Sequence, residues 1–417
     1  MKYYAVPSRW TWVPSLYLAK GLPYVVLTVI SLMLFSRWGL SNSEITFYAA
    51  WYYLPWVFYP WLSSLVRRFG TLSRWIVSMQ LLEAVLLIAI SFCISYQQSF
   101  WILWTLLMLL AIVCVIHAAA CQEKVEEYDY AREATRHISR IFYFVSLIIV
   151  QGVIIMMAGN LEVITRDISF SWSMTFQVMA GMMLVLALYH FYRLSKTNSS
   201  LIKNSKYSVS LSWGRHELYC VLYLFPYGML LMLSTLYLIN PPHTGGLGLS
   251  PAEYGLVMGT VGVIGLATGG ALSREAIKRN GIKPWIWIMA LSMLIPPLLF
   301  FLMTRVASPS LPIISGLIFI IQVAIGFAIM IFRTYLKYIV KKSQQRHMCM
   351  AMSAVALLLP NLMTGYLQKV IGYPNFFLLT TAFGLLALVA VVLIMGNTSD
   401  EIGKTLHHNR EKHLDNI

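Results

Sequence analysis

The stretch RLSKTNSSLIKNSKYSVSLSWGRHE, residues 193–217, decides the fold. It is the longest polar interruption in a chain of 417 residues that is 59% apolar and only 11% charged, with a mean hydropathy of +0.69. A soluble domain is about half apolar and about a quarter charged. Six long apolar stretches precede this segment and six follow it. Crossing ~30 Å of hydrocarbon takes about 20 helical residues at ~1.5 Å rise each. Every apolar stretch is long enough, so the expected spans are 13–36, 46–66, 75–95, 101–121, 139–158, 172–192, 217–239, 253–272, 285–304, 311–332, 348–368 and 375–395. The reading is an all-α membrane protein with a six-helix half at 1–192, a linker at 193–216, a second half at 217–395 and a tail at 396–417.

The basic residues orient these spans. Of the 31 lysines and arginines, only Arg37, Arg166, Arg305 and Lys369 fall in the connections from odd to even spans, and Lys20 lies inside span 1. All the others occupy the opposite side, including the linker and the tail. The excess of basic residues in cytoplasmic loops then places both termini and the linker in the cytoplasm. The net charge of +15 is spread over short membrane-flanking loops. There it fixes topology and meets anionic lipid, so it implies no nucleic-acid partner. The first apolar segment is too long for a signal h-region and lacks a small-residue cleavage site, so it is expected to remain as span 1.

Other features exclude chemistry more than they propose it. Cys93, Cys114, Cys121, Cys220 and Cys349 lie in or at the ends of spans with no metal or disulfide spacing, and read as packing residues. The nine histidines show no HExxH or CxxC context, and His407, His408 and His413 belong to the polar tail. No nucleophile–base set, metal motif or nucleotide loop appears, so neither an enzyme nor a cofactor is expected. Gly259, Gly262, Gly265, Gly269 and Gly270 form a small-residue stripe suited to close helix packing. Pro23, Pro55, Pro60, Pro226, Pro296 and Pro360 interrupt spans and can kink them. Two six-helix halves joined by a basic linker match the major-facilitator layout, in which a substrate binds near the midplane between the halves.

Particular motifs sharpen this. GLPYVVLTV (21–29), YLPWVFYPW (53–61), VQGVIIMMAGNLE (150–162), GGLGLSPAEYGLVMGTVGVIGLATGG (245–270) and LLPNLMTGYLQKVIGYPNFF (358–377) resemble AmpG-type muropeptide permeases, in the form met in Bacteroidetes-like bacteria. These permeases form the peptide–acetyl-CoA–drug branch of the major facilitator superfamily. The resemblance covers nearly the whole chain. It implies a twelve-helix major-facilitator fold in the inner membrane and proton-driven import of cell-wall muropeptides. It also implies a polar motif at the end of span 4. Here CQEKVEEYDY (121–130) supplies Gln122, Glu123 and Glu127 at its polar and acidic positions. Other charges that the resemblance leads one to expect are replaced, by Tyr59 and Arg67 in span 2, Phe144 in span 5, Leu224, Tyr227, Met229 and Met232 in span 7, and Ile321 in span 10. In exchange the chain carries Lys20, Arg333 and Lys337.

The candidate residues follow from the cost of polar groups in hydrocarbon. A charge near the bilayer centre costs about 2.5–3.5 kcal/mol on insertion scales unless it faces water or a partner. Lys20 is therefore either a cavity ammonium for an anionic group or a lysine snorkelling to the inner interface. Glu123 and Glu127 share a helical face at i and i+4, which suits either reversible protonation or an ion-pair network with neighbouring bases. Glu83 lies deep in span 3 and must face protein or a cavity, as a structural group or as a proton carrier. Arg140 could replace the span 5 arginine one turn nearer the cytoplasm. Arg333, four residues before Lys337, could form a basic mouth or anchor the inner surface. Tyr52, Trp56 and Tyr59 form an expected helical stripe able to pack against sugar rings. The substrate set is then Lys20, Tyr52, Trp56, Tyr59, Gln122, Arg140 and Arg333, and the proton set Glu123, Glu127 and Glu83. The partners expected are a small anionic solute, protons and lipids, with the protein a monomer. Two alternatives remain, a same-fold transporter of a siderophore, peptide or drug-like molecule, and a transport-inactive scaffold or sensor.

Overall fold

The computed structural model describes residues 9–96, 99–129, 141–194, 214–282, 284–306, 308–338, 340 and 343–394. Ten helices in it are long and apolar enough to cross a membrane: Trp12–Arg37, Leu72–Ser95, Phe100–Val125, Ile141–Thr165, Ile168–Leu194, Arg215–Ile239, Pro251–Asn280, Ile286–Met303, Leu311–Thr334 and Gln345–Ile394. They are spans 1, 3 to 10 and, in the last helix, both 11 and 12.

The two departures from twelve separate helices have local causes. Gln345–Ile394 breaks at Gly372, whose φ of 74° and ψ of 165° are not helical. Pro374 follows directly and the Asn375 side-chain amide donates to the Ile371 carbonyl at 3.0 Å. Glycine tolerates that φ without Cβ strain. Span 2 is broken instead of continuous. Its pieces are Asn42–Ala50, a 3₁₀ turn at Trp51–Tyr53, Leu54–Val57 and Tyr59–Arg68. Pro55 and Pro60 each remove a backbone donor from the ladder, which is why the helix restarts twice. Span 5 runs to Thr165, beyond the expected end at 158, and stops where Arg166 adopts φ 54° and returns its N–H to the Glu162 carbonyl. Asp167 then accepts from the Phe170 amide at 3.0 Å and starts span 6. Span 8 opens on Ser250, which exchanges hydrogen bonds with Glu253 ahead of Pro251, a capping box legible in the sequence SPAE.

The chain divides into two compact units. The first comprises Met1–Leu40, Trp51–Val209 and Leu249–Thr260, and the second Ser41–Ala50, Ser210–Gly248 and Val261–Ile417. They follow the six-helix halves, except that the opening turns of span 2 pack with the second unit and those of span 8 with the first. In the first unit, a Cβ on Gly259 would collide with the Gln151 backbone and one on Gly159 with the Ala252 backbone. Glycine there lets helix backbones touch. The second unit uses Gly269 and Gly326 in the same way, against the Val323 and Leu266 carbonyls. Its opening segment of span 2 is held by Asn42, whose amide donates to Gln368 at 2.8 Å and to the Tyr373 hydroxyl at 3.0 Å, while Asn240 donates to both Asn42 and Tyr373. An aromatic core of Tyr219, Tyr223 and Phe332 fills the other end, and the Tyr223 hydroxyl donates to the Ala328 carbonyl at 2.6 Å.

Candidate functional site

The polar groups of the first unit gather around span 4. Lys20 of span 1 is half-buried and lines a water-sized pocket, about 10 Å³, with Leu16, Tyr17, Cys121, Gln122 and Val125. The pocket joins one face of span 1 to the last turns of span 4. It brings together two of the residues singled out in the sequence, Lys20 and Gln122. A primary ammonium beside a side-chain amide offers donors and an acceptor to an anionic or carbonyl-bearing group.

One residue further along span 4, Glu123 is buried and accepts from Arg67 of span 2, Nη2 to Oε1 at 2.5 Å. The base in the last turn of span 2 thus meets the acid near the C-terminal end of span 4, a charge-assisted tie between two helices. Lys124, next to it, is fully buried as well. The side chain of Glu127 and the whole of Arg140 lie outside the described residues. Arg333, in the second unit, is exposed on span 10.

The aromatic residues of span 2 lie on a different scaffold from the one expected. A continuous stripe through Tyr52, Trp56 and Tyr59 needs an unbroken helix, and the 3₁₀ turn at Trp51–Tyr53 and the restart at Tyr59 remove it. The three residues persist as separate features. Trp56 and Tyr59 stack at 6.0 Å between centroids with planes 7° apart. Tyr52 is buried, and its hydroxyl has no hydrogen-bond partner among the described residues.

Glu83 is wholly buried, and its surroundings were hidden in the sequence. The His117 Nδ1 of span 4 lies 3.1 Å from both of its carboxylate oxygens, in hydrogen-bonding geometry with Oε1. His117 Nε2 lies 3.1 Å from the Gln80 amide nitrogen. Gln80 Oε1 lies 3.0 Å from His190 Nδ1 of span 6, and His190 Nε2 lies 2.9 Å from the Ser15 hydroxyl of span 1. Ser15 is also placed to donate to the Trp12 carbonyl at 3.0 Å. Four spans therefore meet through one hydrogen-bonded chain, of which Glu83, His117, Gln80 and His190 have no exposed surface. Sequence reading missed His117, His190, Gln80 and Ser15. The available signal was a histidine in each of two apolar runs, which matches no spaced motif. Among the described residues no group of three or more His, Cys, Asp or Glu side chains could hold a metal ion.

No protein-family model matches the chain and no curated protein matches it. Solved structures do share its fold. The nucleoside transporter NupG is 13% identical, with 93% of this chain and 99% of that chain covered and a TM-score of 0.66. A bacterial homologue of the human lysosomal transporter Spinster, in an inward-facing, unoccupied conformation, is 14% identical, with 93% and 96% covered and a TM-score of 0.64. At these identities the likeness is one of fold. The chain is a multi-pass membrane protein that shares the fold of these two transporters, with ten candidate membrane-spanning helices among the described residues.

Proposed function

We propose that this protein is a proton-coupled secondary transporter that takes an anionic solute, of the anhydro-muropeptide class, across the bacterial inner membrane by alternating access. The observation that carries this reading is the pocket in which Lys20 and Gln122 meet. A lysine that lines a crevice between spans 1 and 4 beside a side-chain amide fits a group kept to meet a negative solute. The motif resemblance to muropeptide permeases supplies the solute class. The fold shared with NupG and the Spinster homologue, both transporters by name, supports the carrier role. Glu83, Glu123 and Glu127 are the acids available for coupling, and Tyr52, Trp56 and Tyr59 the aromatic surface for a sugar. The basic residues of the even-to-odd connections support a cytoplasmic location for both termini.

Uptake into proteoliposomes tests this directly. An imposed inward proton gradient should drive accumulation of an anhydro-muropeptide, and peptides, siderophores and nucleosides should compete weakly. Lys20→Met should weaken an anionic substrate about ten- to a hundredfold more than a neutral analogue, the loss of a charge-assisted contact of about 1.5–3 kcal/mol. Lys20→Arg should keep part of the affinity if charge alone matters, and little if the pocket is tight. Equal losses for charged and neutral substrates would remove Lys20 from recognition. No uptake of any solute would leave the scaffold reading in its place.

A further inference from the structure

The buried chain from Glu83 to Ser15 accommodates two arrangements of hydrogens that differ by one proton. In the first, the Gln80 amide points its N–H at His117 Nε2 and its oxygen at His190 Nδ1. His117 Nε2 is then an acceptor, and the ring carries its proton on Nδ1 toward Glu83. His190 donates from Nδ1, its Nε2 is bare, and the Ser15 hydroxyl must donate to it. In the second, His117 carries a proton on both nitrogens. Its Nε2–H needs an acceptor, so the amide must turn by 180° and present its oxygen. The Gln80 N–H then faces His190 Nδ1, which must be bare, and the His190 proton sits on Nε2 and is donated to Ser15. The hydroxyl, no longer needed as a donor to the ring, donates to the Trp12 carbonyl, which lies at hydrogen-bonding distance. Each neighbouring pair along the chain is a matched donor and acceptor in either arrangement.

We propose that this chain is a proton-binding site of the N-terminal unit, and that one proton on the Glu83–His117 pair is read out at span 1 as a reversal of hydrogen-bond direction. The balance is one proton gained from water and held on His117 beside the Glu83 carboxylate. His190 keeps a single proton throughout, giving one to water from Nδ1 and taking one from water at Nε2, and the Ser15 hydroxyl only rotates. Burial makes the event two-state. The carboxylate and neutral imidazole together hold one net negative charge in a site with no exposed surface, and the added proton cancels it. A proton placed on His117 Nε2 while the Gln80 amide is unturned leaves two donors face to face in the apolar interior. The other titratable groups around the chain are Lys20 of span 1 and Cys114 and Cys121 of span 4. Lys20 and Ser15 belong to the same helix, so the reversal ends one to two turns from the proposed substrate ammonium. That link to transport rests on the function proposed above; the binding of the proton does not.

Imidazole ¹⁵N chemical shifts distinguish the two neutral tautomers from the imidazolium, and test the chain without any substrate. In the full-length protein in lipid nanodiscs, titrated from about pH 9 to about pH 5, His117 should pass from the Nδ1–H form to the imidazolium. His190 should pass from Nδ1–H to Nε2–H at the same midpoint. Glu83→Gln should move both midpoints to lower pH together, by on the order of one unit or more. Gln80→Leu should leave His117 titrating and hold His190 in one tautomer. A His190 signal that stays fixed while wild-type His117 titrates would overturn the relay. A His117 that never changes state would overturn the proton site. The wild-type titration decides even if a variant does not fold, and failed muropeptide uptake would count against the transport reading alone.

Discussion

Arg67 and Glu123 show how one contact can be assigned a role by measurement. Their side chains are 16% and 7% exposed, so the pair is largely but not wholly out of water. Removing one member of such a pair costs more than the pair itself contributes, because the other is left in a poor solvent. Arg67→Met and Glu123→Gln should each destabilise the protein by about 1–3 kcal/mol, and the double variant by clearly less than their sum, with a coupling of about 0.5–3 kcal/mol. Thermal melting of the four proteins in detergent checks this. If Glu123→Gln instead melts like the parent yet supports exchange without uphill accumulation, the carboxylate serves coupling and not structure. At this scale the sequence exposed Lys20, Glu83 and Glu123 because a charge inside an apolar run is conspicuous. It did not expose what they touch. Glu83 and His117 are 34 residues apart, and Gln80 and His190 are 110 apart. Nothing in single-sequence spacing brings those pairs together, because their contact exists only once spans 3, 4 and 6 have packed.

Helices behave as elements here chiefly through where their backbones come close. Gly259 faces the Gln151 carbonyl and Gly269 the Val323 carbonyl so tightly that an added Cβ would overlap backbone atoms, which cannot turn aside as a flexible side chain can. A Cβ added at Gly181 or Gly316 would meet no atom of another turn or helix within 4 Å among the described residues. Alanine should therefore separate the two classes. Gly259→Ala and Gly269→Ala should each lose about 1–3 kcal/mol through overpacking. Gly181→Ala and Gly316→Ala should be neutral or gain up to about 1 kcal/mol from helix propensity and a less flexible unfolded chain. Melting temperatures in detergent or lipid decide it, and equal shifts in all four would mean the contacts are not tight. The glycine stripe of span 8 was visible as a packing signal, but its division was not. Gly259 serves the first unit and Gly269 the second, and only coordinates separate them. Span 2 shows the same limit. Pro55 and Pro60 warned of kinks, yet the 3₁₀ turn at Trp51–Tyr53 moved the aromatic stripe off its regular helix, because two missing donors in six residues let the backbone rewind.

For the whole molecule, the number of crossings decides which side each segment occupies, and two segments control the count. Ten helices qualify by length and composition alone. Span 2 is not among them because it is broken, and spans 11 and 12 follow one another directly with only the non-helical Gly372 between them. If residues 42–68 did not cross, the linker after span 6 would lie on the opposite side from the N-terminus. If the break at Gly372 were only a bend within one crossing, the tail would change sides relative to Arg215. Reporter fusions therefore test each segment separately. The basic residues predict that fusions at Ser199 and Asn409 both report cytoplasm, and that one at His243, in the turn Pro242–Thr244 between spans 7 and 8, reports the far side. The charge pattern makes this a strong expectation. Arg67, Arg68 and Arg74 flank the exit from span 2, and no lysine or arginine lies between Arg215 and Arg274 to oppose the placement of His243. A far-side signal at Ser199 would mean that the broken segment fails to span. A far-side signal at Asn409 with a cytoplasmic one at Ser199 would place the error at Gly372 instead. Cytoplasmic signals at both, with His243 outside, require both interrupted segments to cross in full, which makes the interruptions features of membrane-embedded helices and not of loops.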